Sequence, residues 1–185
     1  MMNYLDYLKN TVEVLGSTNK LNHLIEESAL LISSALKKNK KILWVGNGGS
    51  ASDCLHYSAE LMGRFLVDRA PQKSISLTSD ISAITAIGND YGFENIFSRQ
   101  VEGLGEPGDV LICISTSGNS KNVIKAAEKA QSIGMDTISL TGKNKEGLGP
   151  LSTIHMAIES NEVNVIQEVY QVIISYICYK VEKEL

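Results

Sequence analysis

Short apolar segments alternate with amphipathic segments along this chain, and this alternation constrains the fold more than any other feature. The apolar segments have the length of strands and predict five of them, at 41–45, 73–77, 110–114, 137–140 and 154–158. Segments with helical spacing lie between them, which predicts an α/β fold with a parallel sheet and helices on both faces. Each connection is then a right-handed crossover, and ligands bind beyond the carboxyl ends of the strands.

The apolar spacing also gives the predicted helices and the domain organisation. Helices are predicted at 1–20, 21–38, 50–65, 79–87, 93–104, 121–133 and 163–181, with a glycine-rich loop at 141–150. The chain has 185 residues, enough for one domain with a sizeable core. The two helices within 1–38 precede the first strand and are therefore extra to the alternating unit.

Composition and charge exclude several classes of protein. The formal net charge of −4 argues against a general nucleic-acid binder. The three cysteines are far apart in the sequence and have no metal-site spacing. Residues 1–16 lack the apolar stretch of a signal peptide, and polar residues interrupt the apolar segment 163–181. We therefore expect a cytoplasmic protein with reduced thiols that binds neither nucleic acid nor membranes.

The strand predicted at 110–114 leads directly into a stretch rich in hydroxyl groups. Ser115, Thr116, Ser117 and Ser120 lie within six residues, and a predicted helix follows at once. Unpaired backbone N–H groups and the positive end of the helix dipole meet at such a helix start, which attracts anions. One serine would be enough to cap the helix. Four hydroxyl residues and a glycine favour a phosphate-binding loop over an ordinary cap.

A second turn between a strand and a helix contains three glycines. The residues that follow the first predicted strand are Gly46, Asn47, Gly48, Gly49 and Ser50. Glycines allow positive φ and a close approach of the backbone to a ligand. Their spacing matches a relaxed dinucleotide fingerprint, but no acidic residue follows the second strand at the expected distance. Two such turns fit a sugar phosphate better than a nucleotide, so no nucleotide cofactor is expected; a tight turn without a ligand is the alternative.

Two further groups of polar residues are candidates for the site. His56 and Glu60 are four residues apart on the helix after the glycine turn, and Arg64 extends the same row by one helical turn. This spacing fits a solvent-facing pair, and its position beside the glycine turn favours a metal ligand or a base. Asn89 and Asp90 fit a turn or a helix cap. The functional alternative is that Asp90 accepts hydrogen bonds from sugar hydroxyls or steers a proton.

These segments resemble the sugar isomerase (SIS) domain family, and most closely its bacterial phosphoheptose isomerases. The shared stretches are GNGGS at 46–50, HYSAELMGR at 56–64, AIGNDYGF at 86–93, FSRQ at 97–100, GDV at 108–110, ISTSGNS at 114–120, LTGK at 140–143 and IQE at 166–168. They occur in order along the chain, so residues 1–185 are identified as a single SIS domain.

The resemblance implies a fold, an assembly and a reaction. The fold is a flavodoxin-like parallel sheet, with the helices of 1–38 packed on the core and on partner subunits of a homotetramer. The reaction is the aldose–ketose isomerisation of sedoheptulose 7-phosphate to D-glycero-D-manno-heptose 7-phosphate through an enediol. This reaction is an early step toward the heptose of lipopolysaccharide or capsule.

The resemblance also assigns roles to single residues of this phosphosugar site. The phosphate is expected on Ser115, Thr116, Ser117 and Ser120. The sugar is expected beside Asn47, Gly48, Gly49 and Ser50, with Arg64, Asn89, Asp90 and Gln167 as further substrate-binding residues. Glu60 corresponds to the general base, and Asp90 is expected to take part in catalysis with it.

Three positions depart from the family pattern. Asn164 stands where related proteins have an acidic residue just before the final helix, and Val165 replaces an arginine that is often found beside it. The third departure is in the zinc site.

The family binds zinc through a histidine, a glutamate, a glutamine and a second histidine, and the first three correspond to His56, Glu60 and Gln167. The second histidine falls eight residues after the glutamine, where this chain has Ser175. Serine does not replace imidazole as a zinc ligand or as an acid with a pKa near 6.5. The resemblance therefore implies an incomplete zinc site.

The departure at Ser175 leaves two functions of different class open. The first is a working isomerase, of this or another phosphosugar, with an altered proton donor. The second is a sugar-phosphate-binding regulator, similar to the family's replication-initiator-binding relative, which also lacks that histidine. Glu60 favours the isomerase because the regulatory relative has no carboxylate there.

The apolar segment 163–181 also allows two interpretations. A helix that is apolar around much of its girth packs either inside one domain or against another subunit. We expect a homo-oligomer, a tetramer, with the terminal helices near its centre.

Overall fold

The computed structural model describes residues 3–144 and 146–185. The first two residues of the predicted N-terminal helix, and residue 145 of the predicted loop 141–150, lie outside the described residues. The helices of the described part are α1 (Tyr4–Ser17), α2 (Asn22–Lys37), α3 (Gly49–Met62), α4 (Ile81–Tyr91), α5 (Ser98–Leu104), α6 (Lys121–Ile133) and α7 (Val163–Glu184). The strands are β1 (Ile42–Gly46), β2 (Ser74–Ser76), β3 (Val110–Ser115), β4 (Asp136–Thr141) and β5 (Ile154–Ala157).

The five strands form one parallel sheet in the order β2-β1-β3-β4-β5. This order is the flavodoxin-like arrangement of a doubly wound sheet. The predicted parallel α/β fold is therefore confirmed.

Both faces of the sheet are buried, and the alternation of side chains along β1 shows how. Ile42 and Trp44 pack in one core cluster with residues of α2, α3 and α7. Leu43 and Val45 point to the opposite face and pack with residues of α5 and α6. Strands buried on both faces need apolar residues at successive positions, which explains the continuous apolar runs in the sequence.

Some predicted helix boundaries were wrong, and glycine and 3-10 turns explain most of the differences. A 3-10 turn at Thr18–Leu21 joins α1 to α2, and the predicted helix 93–104 divides into a 3-10 turn at Phe93–Asn95 followed by α5. Helix α4 continues four residues beyond the predicted end at 87, and Gly92, with φ of +88°, ends it. Asn89 and Asp90 are therefore helical, and of the alternatives left open by the sequence the turn does not form.

Helix α7 has 22 residues and is the longest helix of the described chain. Ten of its residues are buried within the single chain, mainly against α2, α3 and the sheet. In the described residues no helix has the length and apolar character needed to cross a membrane.

Candidate active site

The two predicted ligand-binding turns lie side by side in the fold. β1 ends at Gly46 and β3 ends at Ser115, and these two strands are neighbours in register. The chain runs from β1 to β2 on one side of it and then crosses back to β3 on the other side. In doubly wound sheets ligands bind at such a switch point, beyond the carboxyl ends of the strands.

The hydroxyl groups after β3 converge at the start of α6. Ser115 Oγ lies 3.4 Å from Ser117 Oγ and 3.1 Å from Ser120 Oγ. Ser120 is the N-cap residue of α6, yet its hydroxyl makes no capping hydrogen bond with the first turn. The capping alternative therefore does not account for Ser120. Three convergent hydroxyls at a helix N-terminus form a cradle suited to an anion.

Thr116 faces a cavity that it shares with Ser117 and that neither Ser115 nor Ser120 lines. With Ser117 and Lys143 it lines a cavity of about 240 Å³ between the hydroxyl loop and the start of α7. Lys143 is exposed and adds a positive charge to this side of the loop. A phosphate held at Ser117 would therefore have a cation nearby, in a protein that is otherwise acidic.

The glycine turn contains a positive φ, which its composition allowed. Gly48 has φ of +55° and is the N-cap residue of α3. A Cβ at position 49 would collide with the side-chain amide of Gln167 from α7. The structure therefore brings Gln167 directly against the glycine turn, and any side chain at position 49 would displace the Gln167 carboxamide. Ser50, the next residue, is buried.

The side-chain carboxamide of Asn47 is hydrogen-bonded to Asn122, a residue that the sequence analysis did not single out. Asn47 and Asn122, in the first turn of α6, exchange two hydrogen bonds of 2.9 and 2.8 Å. Both line a cavity of about 290 Å³ together with Ser120 and Phe93. This cavity lies between the glycine turn and the hydroxyl loop.

His56 and Glu60 form the predicted pair on α3. His56 Nε2 lies 3.1 Å from Glu60 Oε1. The imidazole stacks on the ring of Tyr57 with centroids 4.6 Å apart. The Glu60 side chain is 24% exposed, so a ligand in solution can reach its carboxylate.

The implied zinc ligands do not form a complete set within one chain. Gln167 packs against Gly49, which precedes His56 by seven residues on α3, and this corresponds to about 10 Å along the helix axis. His56 and Glu60 thus remain as two neighbouring ligands, whereas zinc sites in proteins use three or four. In the described residues no three His, Cys, Asp or Glu side chains are placed to hold a metal ion together. The residues of a single chain do not fit a tightly held zinc.

A buried polar layer between α3 and α7 was missed by the sequence analysis. Asp53 is 6% exposed, and its Oδ1 accepts a hydrogen bond of 3.4 Å from Gln171 Nε2. Burial raises the pKa of the Asp53 carboxyl. The available signal was its spacing, because Asp53 precedes His56 by one helical turn on the same face.

The segment after α3, which carries Arg64, is held by a buried carboxylate. Glu182 accepts hydrogen bonds from the backbone N–H groups of Phe65, Leu66 and Val67 at 3.0, 2.8 and 3.2 Å. Its Oε1 also lies 3.3 Å from Arg69 Nε. Arg64 itself is exposed, so its guanidinium is accessible to a ligand or to another subunit.

Asn89 and Asp90 lie at the exposed end of α4. Asn89 Nδ2 donates to Asp90 Oδ1 at 2.7 Å. In the described part of the chain no hydrogen bond joins either residue to another predicted site residue. Their predicted roles in substrate binding and catalysis therefore stay predictions.

Comparison with known proteins places these features in a family. A family model described as SIS domain matches residues 3–142. The phosphoheptose isomerase of Helicobacter pylori strain P12 is 45% identical over 178 residues, which cover 96% of this chain and 93% of the relative.

Solved structures agree with this match. The phosphoheptose isomerase GmhA from Neisseria gonorrhoeae superposes with a TM-score of 0.90 at 36% identity, covering 96% of this chain and 95% of that chain. A phosphoheptose isomerase from Francisella tularensis gives a TM-score of 0.93 at 33% identity, covering 98% and 100%.

Proposed function

This chain belongs to the SIS domain family, among its phosphoheptose isomerases, and we propose that it interconverts sedoheptulose 7-phosphate and D-glycero-D-manno-heptose 7-phosphate. The observation that carries this proposal is the geometry of the switch point. A hydroxyl cradle for a phosphate lies there beside a glycine turn, and the helix that leaves this turn carries an accessible carboxylate, Glu60.

Binding in this proposal depends on the phosphate end of the substrate. Ser115, Ser117 and Ser120 hold the phosphate at the positive end of α6. The sugar then extends over the glycine turn, where the bare backbone of Gly48 and Gly49 lets it approach closely. Because the phosphate is anchored, the reacting carbons of the substrate are held at a fixed position in the site.

The chemical step is a proton transfer between two neighbouring carbons. Glu60 lies eleven residues beyond Gly49 on α3, about 16 Å along the helix axis, so the carboxylate that reaches the sugar in this proposal is the Glu60 of a second copy of the chain. It removes a proton from C1 of the ketose, and the electron pair forms a C1–C2 double bond while O2 takes up a proton from water. The resulting enediol returns to the aldose when the same carboxyl gives its proton to C2 and O1 loses its own proton. The hydrogen bond from His56 orients the Glu60 carboxylate for both steps.

No step of this mechanism depends on a metal ion. His56 and Glu60 are the only implied ligands that lie next to each other in the described chain. We infer that any zinc they bind is weakly held. Chelation with EDTA is expected to change the wild-type rate by less than about threefold, and a complete loss that zinc restores would contradict this.

The exposed apolar residues of α1 and the free cysteines support two further proposals, on the assembly and on the location of the protein. Tyr4, Leu5, Leu8 and Val12 on α1 are exposed apolar residues, and α1 has no buried residue in the single chain. We infer that a second copy covers this surface in a homotetramer.

The cysteines are free and buried, which favours a reducing compartment such as the cytoplasm.

The decisive experiment compares two glutamine variants in an isomerase assay. Glu60→Gln keeps the shape of the side chain and removes its basicity, so kcat is expected to fall at least about 100-fold while the sugar phosphate still binds. Glu128→Gln, an exposed position on α6, is the matched control and should leave kcat unchanged. A wild-type protein that binds phosphosugars without turning them over would support the regulatory function instead.

A further inference from the structure

The two candidate ligand-binding turns are joined by a reciprocal pair of asparagine side chains. Asn47 Nδ2 donates to Asn122 Oδ1 at 2.9 Å, and Asn122 Nδ2 donates to Asn47 Oδ1 at 2.8 Å. The residues are 75 positions apart in the sequence. Asn122 is only 3% exposed, so its carboxamide depends on protein partners for its hydrogen bonds.

Each asparagine is fixed to a different turn. Asn47 immediately follows β1 and lies inside the glycine turn. Asn122 lies in the first turn of α6, and its Oδ1 also accepts a hydrogen bond of 3.0 Å from the backbone N–H of Val123. The pair therefore links the glycine turn to the helix start that forms the hydroxyl cradle.

This link requires carboxamides on both sides. A carboxamide donates and accepts side by side, and an ionised carboxylate only accepts. Alanine does neither and would leave the polar groups of Asn47 without a partner. The pairing therefore sets both the separation of the two turns and the orientation of the Asn47 side chain.

We propose that Asn122 is a positioning residue that acts through Asn47 to hold the glycine turn at a fixed distance from the phosphate cradle. This inference rests on the proposed function. A substrate anchored by its phosphate places its reacting carbons correctly only if that distance is constant. Small displacements of a reacting group from the catalytic geometry cost rate more than binding. Asn122 is thus important for turnover although it is buried and has no predicted contact with substrate.

Asn122→Ala tests the proposal with two ligands. Calorimetry with inorganic phosphate reports on the cradle alone, and steady-state kinetics with sedoheptulose 7-phosphate report on the whole site. We expect phosphate affinity to stay within about threefold, and kcat to fall roughly 10- to 100-fold. A parallel loss of phosphate affinity and kcat would overturn the proposal, because Asn122 would then only shape the cradle.

A double variant shows whether Asn122 acts through Asn47. In the Asn47→Ala background, adding Asn122→Ala is expected to change kcat by less than about twofold, because the interaction is already lost. If the two effects multiply instead, Asn122 acts independently and the proposal is wrong.

Asn122→Asp gives a pH signature that a purely structural role would not produce. The ionised carboxylate of this variant still accepts a hydrogen bond from Asn47 but cannot donate one, so one of the two hydrogen bonds is lost near neutral pH. A protonated carboxyl both donates and accepts. The ratio of variant to wild-type kcat should therefore rise as the pH is lowered, and a ratio independent of pH would contradict the proposal.

The same experiments separate this inference from the proposed function. If the wild-type protein does not turn over the phosphosugar, both the isomerase function and the positioning role of Asn122 are wrong. An active wild-type protein whose Asn122 variants turn over normally would remove the positioning role and leave the isomerase function intact.

Discussion

The hydroxyl of Tyr57 lies 3.1 Å from the hydroxyl of Ser175. Tyr57 donates its proton to the backbone carbonyl of Gln171 at 2.8 Å, so Ser175 is the donor in the contact between the two hydroxyls. Ser175 occupies the place where the family pattern has a second histidine. In this chain that place is part of a partly buried hydrogen-bond network between α3 and α7, and it carries no group that titrates near neutral pH.

Replacing Ser175 by histidine is expected to create a better metal site. Tyr57, which contacts Ser175, is on α3 between His56 and Glu60, so an imidazole at 175 would come close to this pair. A third ligand is enough for a catalytic type of zinc site, and the bound zinc should rise toward about one ion per protomer.

Metal analysis by mass spectrometry after dialysis measures this change. Ser175→Ala is the matched control, since it removes the same hydroxyl and adds no ligand. Equal zinc content in both variants would show that position 175 lies too far from the pair to complete a site.

Removing two hydroxyls from the phosphate cradle is expected to weaken substrate binding. The Ser117→Ala and Ser120→Ala double variant loses hydrogen bonds to a charged group, so the binding free energy should become less favourable by roughly 1–3 kcal/mol. Calorimetry with the sugar phosphate gives this value. Ser132→Ala, at the other end of α6, is the control and should bind normally, whereas unchanged affinity in the double variant would refute the phosphate cradle.

Glu182 is expected to contribute stability that depends on pH. Its side chain is only 1% exposed, and burial favours the neutral acid. The backbone N–H groups of Leu66, Phe65 and Val67, together with Arg69, outweigh burial and hold the pKa of Glu182 below its ordinary value. Glu182→Gln should therefore lower the free energy of unfolding near neutral pH by about 3 kcal/mol, because Arg69 loses its charged partner.

The sign of the pH effect follows from the lowered pKa. The stabilisation by Glu182 is complete above the ordinary pKa of glutamate, about 4.3, and is lost as the pH falls through the lower pKa of the folded protein. Urea unfolding at several pH values should show the difference between wild type and Glu182→Gln shrinking only in acid. Glu184→Gln, exposed on the same helix, is expected to change stability by less than about 0.5 kcal/mol. A difference between wild type and Glu182→Gln that stays constant far into the acid range would contradict this account.

The exposed apolar residues of α1 are expected to lie in a subunit interface. Replacing Leu5 and Leu8 by lysine adds charges to that surface, so light scattering at micromolar concentration should show smaller particles for the variant than for the wild-type protein. Val67→Lys adds a charge at another exposed apolar position. It is the control that shows whether an added charge elsewhere on the surface has the same effect. A wild-type monomer at the same concentration would exclude the assembly altogether.

The order of strands and helices along the chain and the position of the two candidate ligand-binding turns could be predicted from the sequence alone. Those features depend on local properties: apolar periodicity, glycine at a turn, and hydroxyl residues between a strand and a helix. The helix boundaries were less certain, as Asn89 and Asp90 show, because their turn propensity was overridden by the continuation of α4 to Gly92.

Only the tertiary structure decided which of these residues meet. Asn47 and Asn122 are 75 positions apart, Gln167 packs on Gly49, and Tyr57 contacts Ser175. Each pair joins elements that become neighbours through the strand order and the crossovers of the sheet, together with the packing of α7 across α3. Periodicity along the chain carries no information about such pairings, because it records which face of an element is buried and not which side chain lies opposite.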